Sequence, residues 1–153
     1  MEIIIERSRT RTEPLAAFLQ GHHEELAPTA PPESRHALAL NELLNPPVRL
    51  FTAQLGRDLV ATGALKDLGH GHEELKSMRT HPGRRGLGLG RRMLNFLLED
   101  ARRRKVHRVS LETGSADFFR PARTLYLSEG FETCKPFGDY TDDPHSVFMT
   151  RVL

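Results

Sequence analysis

The strongest periodicity in the chain lies at residues 89–101. Leu89, Met93, Leu97 and Ala101 recur at four-residue intervals and are joined by Leu94 and Leu98. That spacing gives one apolar face and predicts an α-helix running to about residue 104. Glu99 with Arg103 and Asp100 with Arg104 form i, i+4 pairs on its polar side, and the basic run 102–105 suits its C-terminal end. Residues 3–7 form a short β-rich run, a first strand. Thr12 caps a helix that has Pro14 in its first turn and Leu15, Phe18 and Leu19 on its apolar face, and the prolines of 27–32 end it. Residues 33–44 then read as a second helix, with Ala37, Leu40, Leu43 and Leu44 on one side, stopped by Asn45-Pro46-Pro47. Segments 48–54, 59–66 and 73–80 read as consecutive strands joined by turns at 55–58 and 67–71, an antiparallel meander. In the third of these, Leu75, Met78 and Thr80 are the positions to bury. The step from 75 to 78 breaks the period of two and predicts a β-bulge. Residues 106–113 alternate as a strand, and strand–helix–strand implies a parallel pair. A short helix at 121–129 closed by Gly130, and strands at 131–137 and 146–152, complete the pattern.

Composition narrows the class. A chain of 153 residues, with 38% apolar and 27% charged positions, is expected to be one domain, 1–153, with a substantial core. No run reaches the length of a membrane span, and the opening Met1-Glu2-Ile3-Ile4-Ile5-Glu6 does not read as a signal peptide. The single cysteine, Cys134, forms no intramolecular disulfide, so a reduced, cytoplasmic setting is expected. A net charge of +2 permits anionic ligands without calling for nucleic acid, and no aromatic residues interleave the basic run. His22 and His23 are adjacent and would point apart on a helix, so no metal site is expected there.

Between the predicted third meander strand and the long helix lies Arg85-Gly86-Leu87-Gly88-Leu89-Gly90. Glycines let backbone N–H groups approach a ligand, and the helix start adds unpaired N–H groups and a positive dipole end, a receptor for phosphate. A P-loop would need Gly-Lys-Ser/Thr, but Gly90 is followed by Arg91 and Arg92. A dinucleotide fingerprint would need a third small residue where Met93 stands, and a parallel unit before it. Arg85-x-x-Gly88-x-Gly90 instead resembles the pyrophosphate loop of the GNAT superfamily of N-acetyltransferases, Gln/Arg-x-x-Gly-x-Gly/Ala. Leu125-Tyr126-Leu127-Ser128-Glu129-Gly130-Phe131 resembles that family's late Leu-Tyr-x-x-x-Gly-Phe motif. The resemblance covers essentially the whole chain. Glu33-Ser34-x-His36-Ala37-Leu38, Lys76-Ser77-Met78-Arg79, Leu111-Glu112-Thr113-Gly114-Ser115 and Phe148-Met149-Thr150 are similar to a bacterial subgroup of small single-domain members with no settled substrate.

The resemblance implies an α/β (α+β) GNAT fold: a mixed, mostly antiparallel sheet of about seven strands, about four flanking helices, and a splayed parallel pair at the cofactor cleft. It implies transfer of an acetyl group from acetyl-CoA to an amine by direct attack in a ternary complex. The CoA contacts would come from Met78, Arg79 and Thr80, from the loop residues Arg84, Arg85, Gly86, Leu87, Gly88, Leu89, Gly90 and Arg91, and from Phe119, Ala122, Leu125 and Tyr126. The Met78 N–H would polarise the thioester carbonyl and Tyr126 would protonate the departing thiolate. Phe119 stands where relatives often have Asn, which puts that residue's usual contacts to the pantetheine arm in question. Glu74 and Glu112, on the two central strands, are the candidate bases, or else partners in ion pairs with Lys76 or Arg108. If Lys76, Arg79, His81 and Arg123 converge near the cleft, the acceptor is a small anionic, amino-acid-like amine. Ser34, His36, Asp139, Tyr140 and His145 are candidates for the acceptor side. No metal, nucleic acid or membrane is expected as a partner, and a homodimer is compatible with the sequence. The competing readings are acetylation of a protein or peptide terminus, and a CoA-binding module without turnover.

Overall fold

The computed structural model describes residues 2–153; Met1, the start of the opening segment discussed above, lies outside the described residues. Seven strands form one sheet in the order β1-β2-β3-β4-β5-β7-β6. Every neighbouring pair is antiparallel except β4 and β5. β1 (Ile3–Ser8) leads into α1 (Glu13–Leu26), where Thr12 Oγ1 accepts a hydrogen bond from the Leu15 N–H at 3.3 Å and Leu15, Phe18 and Leu19 are buried.

The helix expected at 33–44 does not form as such. A 3₁₀ turn at Pro32–Ser34 is followed by extended chain and a single turn of helix, α2 (Leu40–Leu43). His23 Nε2 lies 3.1 Å from the Leu38 carbonyl oxygen, a group a continuous helix would have needed for itself. Leu38, Leu40, Leu43 and Leu44 instead pack beside Leu15, Phe18 and Leu19 of α1 in a second small core.

β2 (Val48–Leu55), β3 (Asp58–Gly69) and β4 (His72–Thr80) form the expected meander. The bulge is present. Thr62 pairs with Arg79 and Ala64 with Lys76, so three steps on β4 match two on β3. Ser77 takes the left-handed conformation at φ 53°, and its carbonyl accepts from Thr62 Oγ1 at 2.8 Å. Opposite the bulge, Gly63 leaves space the core uses. A Cβ there would stand 2.7 Å from Leu97 Cδ1 and 2.9 Å from Met78 Sδ. Gly63→Ala is therefore expected to destabilise the fold by about 1–3 kcal/mol, the usual cost of overpacking, read by urea denaturation.

α3 (Leu89–Arg103) buries Leu89, Met93, Leu94, Leu97, Leu98 and Ala101 against the sheet, as its periodicity predicts. Asp100 pairs with Arg104 at 2.8 Å, while Glu99 pairs with Arg102, one turn away at 3.5 Å, rather than with Arg103. β5 (Arg108–Gly114) runs parallel to β4 from His72↔Arg108 to Leu75↔Leu111 only. Beyond Leu75, β4 stays with β3 while β5 continues with β7 (Ser146–Val152) to Gly114↔Ser146. The two central strands part there and open a cleft. α4 (Arg120–Ser128) lies beside it. The strand expected at 131–137 shrinks to β6 (Glu132–Thr133), an edge pair with β7. Pro136 lacks the N–H to continue the ladder, and the Phe137 ring stacks on Tyr140 and Phe148 instead.

Candidate active site

The cleft contains two chambers. The larger, about 630 Å³, is walled by the glycine loop, the outer half of β4 and α4. The smaller, about 130 Å³, lies on the other side of the bulge. They share His22, Leu26, Met78, Phe119, Ala122 and Tyr126, so the chambers meet at those side chains.

The larger chamber carries groups of the kind that bind an anion. Gly86 and Gly88 hold φ at 81° and 78°, where L side chains are strained, with open space where a Cβ would stand. Gly88 is the N-cap of α3 and no side chain caps the helix, leaving its first N–H groups for a ligand. Arg85, Gly86, Gly88, Leu89, Gly90 and Arg91 all line this chamber, joined by Met78, Arg79, Thr80, Phe119, Ala122, Leu125 and Tyr126. These features fit the pyrophosphate and pantetheine arm of CoA. Arg85 is tied to Glu25 at 2.7 Å and Arg91 to Glu129, both with about half of the side chain still exposed. Tyr126 is 6% exposed at the junction, its ring against Phe131. Burial raises its pKa further, so it is a neutral phenol at physiological pH.

The family pattern described as Acetyltransferase (GNAT) family matches residues 14–131. The chain belongs to the GNAT acetyltransferases. It is 43% identical over 139 residues to the uncharacterized N-acetyltransferase YsnE of Bacillus subtilis, covering 91% of this chain and 92% of that protein. It is 38% identical over 124 residues to an IAA acetyltransferase of Azospirillum brasilense, with 80% of each covered. A solved structure assigned as an acyl-CoA N-acyltransferase of Klebsiella pneumoniae superposes with a TM-score of 0.75 at 28% identity, over 99% of this chain and 97% of that one. The chain is accordingly an acetyl-CoA-dependent acyltransferase with the GNAT sheet and its parted parallel pair.

Within this GNAT cleft the structure separates the sequence-predicted residues. Arg84 does not face the CoA chamber; it pairs with Asp58 at 2.7 Å and lines a separate cavity with His81. Leu87 points to solvent, 62% exposed. Phe119 occupies space that Gly114 leaves free, since a Cβ on Gly114 would stand 2.2 Å from its ring. The expected convergence of Lys76, Arg79, His81 and Arg123 does not occur. Arg79 turns to α1, donating to Glu25 at 2.8 Å and to the Phe18 carbonyl at 2.9 Å, over the Phe18 ring. Arg123 donates to the Gly114 and Ala116 carbonyls at 2.6 and 3.0 Å, at the end of β5 and in the loop that follows it. His81 accepts from the Gly83 N–H. Only Lys76 of the four faces the smaller chamber, together with Ser34, His36, Glu74, Glu112 and His145. Tyr140 stands behind that wall, with its hydroxyl on Glu74 and its ring against the edge of His36. Asp139 lines neither chamber. Among the described residues no group of three or more His, Cys, Asp or Glu is placed to hold a metal, and no helix is long and apolar enough to cross a membrane.

Of the titratable side chains on the smaller chamber's wall, two are not expected there from the sequence, His22 and Arg35. His22 extends the α1 face of Leu15, Phe18 and Leu19 at helical spacing, the signal that places it inward. Burial, then Arg79 and His23, lower its pKa to about 4 against the offsetting effect of Glu25. The unfolded chain, at 6.5, binds the proton first, so the stability His22 contributes is complete above pH 6.5 and lost as pH falls toward 4. The expected loss is about 2–3 kcal/mol across that window. Urea titrations at several pH values should show it, with a shallower dependence in His22→Gln.

Proposed function

We propose that the chain moves an acetyl group from acetyl-CoA to the amine of a small, amino-acid-like acceptor by direct attack, with both molecules held at once. The observation that carries this reading is the junction, where Met78 on the bulge and Tyr126 on α4 border both chambers. When bound, acetyl-CoA supplies an activated acetyl thioester. Gly86, Gly88, Gly90 and the first N–H groups of α3 hold the pyrophosphate, with Arg85 and Arg91 adding charge-assisted hydrogen bonds. The backbone of residues 78–80 offers a strand edge to the pantetheine amides, where β5 no longer covers it. Phe119, Ala122 and Leu125 form the apolar wall of that arm. The Met78 N–H, absent from the β3 pairing, is the donor toward the thioester carbonyl oxygen. Tyr126 Oη gives its proton to the departing sulfur. Cys134 lines neither chamber, so no thiol of the chain is placed to carry the acetyl group.

The acceptor side supports a small molecule. A chamber of about 130 Å³ is close in size to cavities that take up benzene, too small for a folded partner's loop. The charge of Lys76 is matched by Glu74, which leaves Arg35 as the cation available to an acceptor carboxylate, with Ser34, His36 and His145 as hydrogen-bonding groups. Thiol release from acetyl-CoA across amino acids, matched uncharged amines and peptides with free N-termini tests the reading. Amino acids are expected to react faster than their uncharged counterparts. A preference for peptides would move the function to protein acetylation, and CoA binding without release for any amine would leave a binding module.

A further inference from the structure

We propose that Glu112 on β5 is the base that takes the proton from the acceptor's ammonium nitrogen, and that Glu74 on β4 is a positioning residue. The inference rests on the acetyl-transfer reading above and decides between the two carboxylates that face the acceptor chamber.

Glu74 is already engaged. Its side chain is 5% exposed, and its Oε2 accepts from Lys76 Nζ at 3.0 Å and from Tyr140 Oη at 2.5 Å. Lys76 Nζ also donates to Tyr140 Oη at 3.1 Å, closing a part-buried triangle of three groups. Tyr140 is fixed in turn by the rings of Phe137, Phe148 and His36. A proton placed on Glu74 would compete with these hydrogen bonds and remove the counter-charge of a lysine whose side chain is only 8% exposed. This triangle suits a wall of fixed shape better than a group that gains and loses a proton each turnover.

Glu112 is differently placed. It follows Leu111, the last β5 residue to pair with β4, and so stands where the strands part. Among the described residues no ion pair engages it. The groups that act on it come from three sides: Ser146 on β7, His36 from the segment before α2, and Lys76 and Glu74 on β4. Burial raises its proton affinity, with Glu74 adding to the rise and Ser146, His36 and Lys76 opposing it. Ser146 Oγ is buried beside this carboxylate and among the described residues is committed to no other partner, so its hydroxyl can turn as the carboxyl gains a proton.

In the step, one N–H bond of the ammonium breaks, its electron pair stays on nitrogen, and the proton goes to a Glu112 carboxylate oxygen. Carboxylate and ammonium become carboxylic acid and amine, and the acid returns its proton to solvent after turnover.

The test is the pH dependence of kcat/KM for wild type, Glu112→Gln, Glu112→Asp and Glu74→Gln. Two amines of different basicity separate the enzyme's acidic limb from the amine's own. Acetyl-CoA binding and Tm report folding. Glu112→Gln is expected to lower kcat by about 10²-fold or more and to lose the acidic limb, with CoA affinity within about two-fold. Glu112→Asp should keep the limb at an intermediate rate, a retention that covers the case of a poorly folded Gln variant. Glu74→Gln should raise KM for the amine and lower Tm while the limb persists. A Glu112→Gln enzyme with the wild-type limb and rate, or loss of the limb in Glu74→Gln, overturns the assignment. A wild type silent with every amine overturns the acetyl-transfer reading itself.

Discussion

Replacing Tyr126 by phenylalanine is expected to lower kcat by about 10²-fold or more while acetyl-CoA binding stays within about two-fold, the scale of losing one general acid. The substitution removes one oxygen and keeps the ring, so packing against Phe131 and the α4 position survive. The phenol is buried where the two chambers meet, and burial holds it protonated; in the proposed reaction the same burial would raise the proton affinity of a thiolate forming beside it. A purely structural tyrosine would give a different signature. Its loss would lower Tm and change CoA binding and turnover together. Steady-state kinetics alongside calorimetric CoA titration separates the two, and unchanged turnover in Tyr126→Phe would remove the residue from the chemistry.

The largest stability effect is expected at Arg104, which lines neither chamber. Its guanidinium donates to both oxygens of Glu73 at 2.7 and 2.8 Å and reaches Asp100 at 2.8 Å, tying the end of α3 to the start of β4. The hydrogen bonds it donates to Glu73 raise the guanidinium's pKa, so its charge is permanent. Burial pushes the Asp100 carboxyl up, but Arg49 and Arg104 together hold it below the usual range. Arg104→Ala leaves Asp100 with Arg49 at 3.0 Å and leaves Glu73, with a side chain 6% exposed, without a partner. Removing one side of a buried pair costs about 3–5 kcal/mol, and the partial exposure of Arg104 brings the expectation to about 2–4 kcal/mol. In a chain of this size that is a fall in Tm of roughly 10 °C. A Glu73→Leu/Arg104→Leu double variant should recover part of the loss, because no charge is then stranded. Values of kcat should change little in either.

The parts of this molecule that were legible in the sequence are those set by local rules. The helical face of α3, the meander, the broken period at residues 75–78 and the glycine turn each follow from neighbours within a few positions. The bulge and the parting of β4 from β5 follow in turn. Segment 33–44 misled because its apolar spacing is helical, yet His23, from another element, holds the Leu38 carbonyl. Long cationic side chains were the other source of error. Lys76 and Arg79 sit three residues apart, but Glu25 and the Phe18 carbonyl draw Arg79 to α1, while Glu74 and Tyr140 keep Lys76 at the acceptor chamber. Glu74 is two positions from Lys76 and the pair is among the sequence expectations, but Glu25, Phe18 and Tyr140 lie more than fifty positions from the cations they hold, and no local pattern reports them. His22 is legible from local spacing, since it continues the α1 face of Leu15, Phe18 and Leu19.

The proposed direct attack, across two chambers that meet at Tyr126, Met78 and their neighbours, requires both substrates to be present when the acetyl group moves. The direct test is the initial rate of thiol release measured while acetyl-CoA and an amino-acid amine are varied together. Saturation in both, intersecting double-reciprocal lines, and no acetylated protein when acetyl-CoA is supplied alone are the expected results. Parallel lines with an acetylated chain detectable by mass would contradict direct attack.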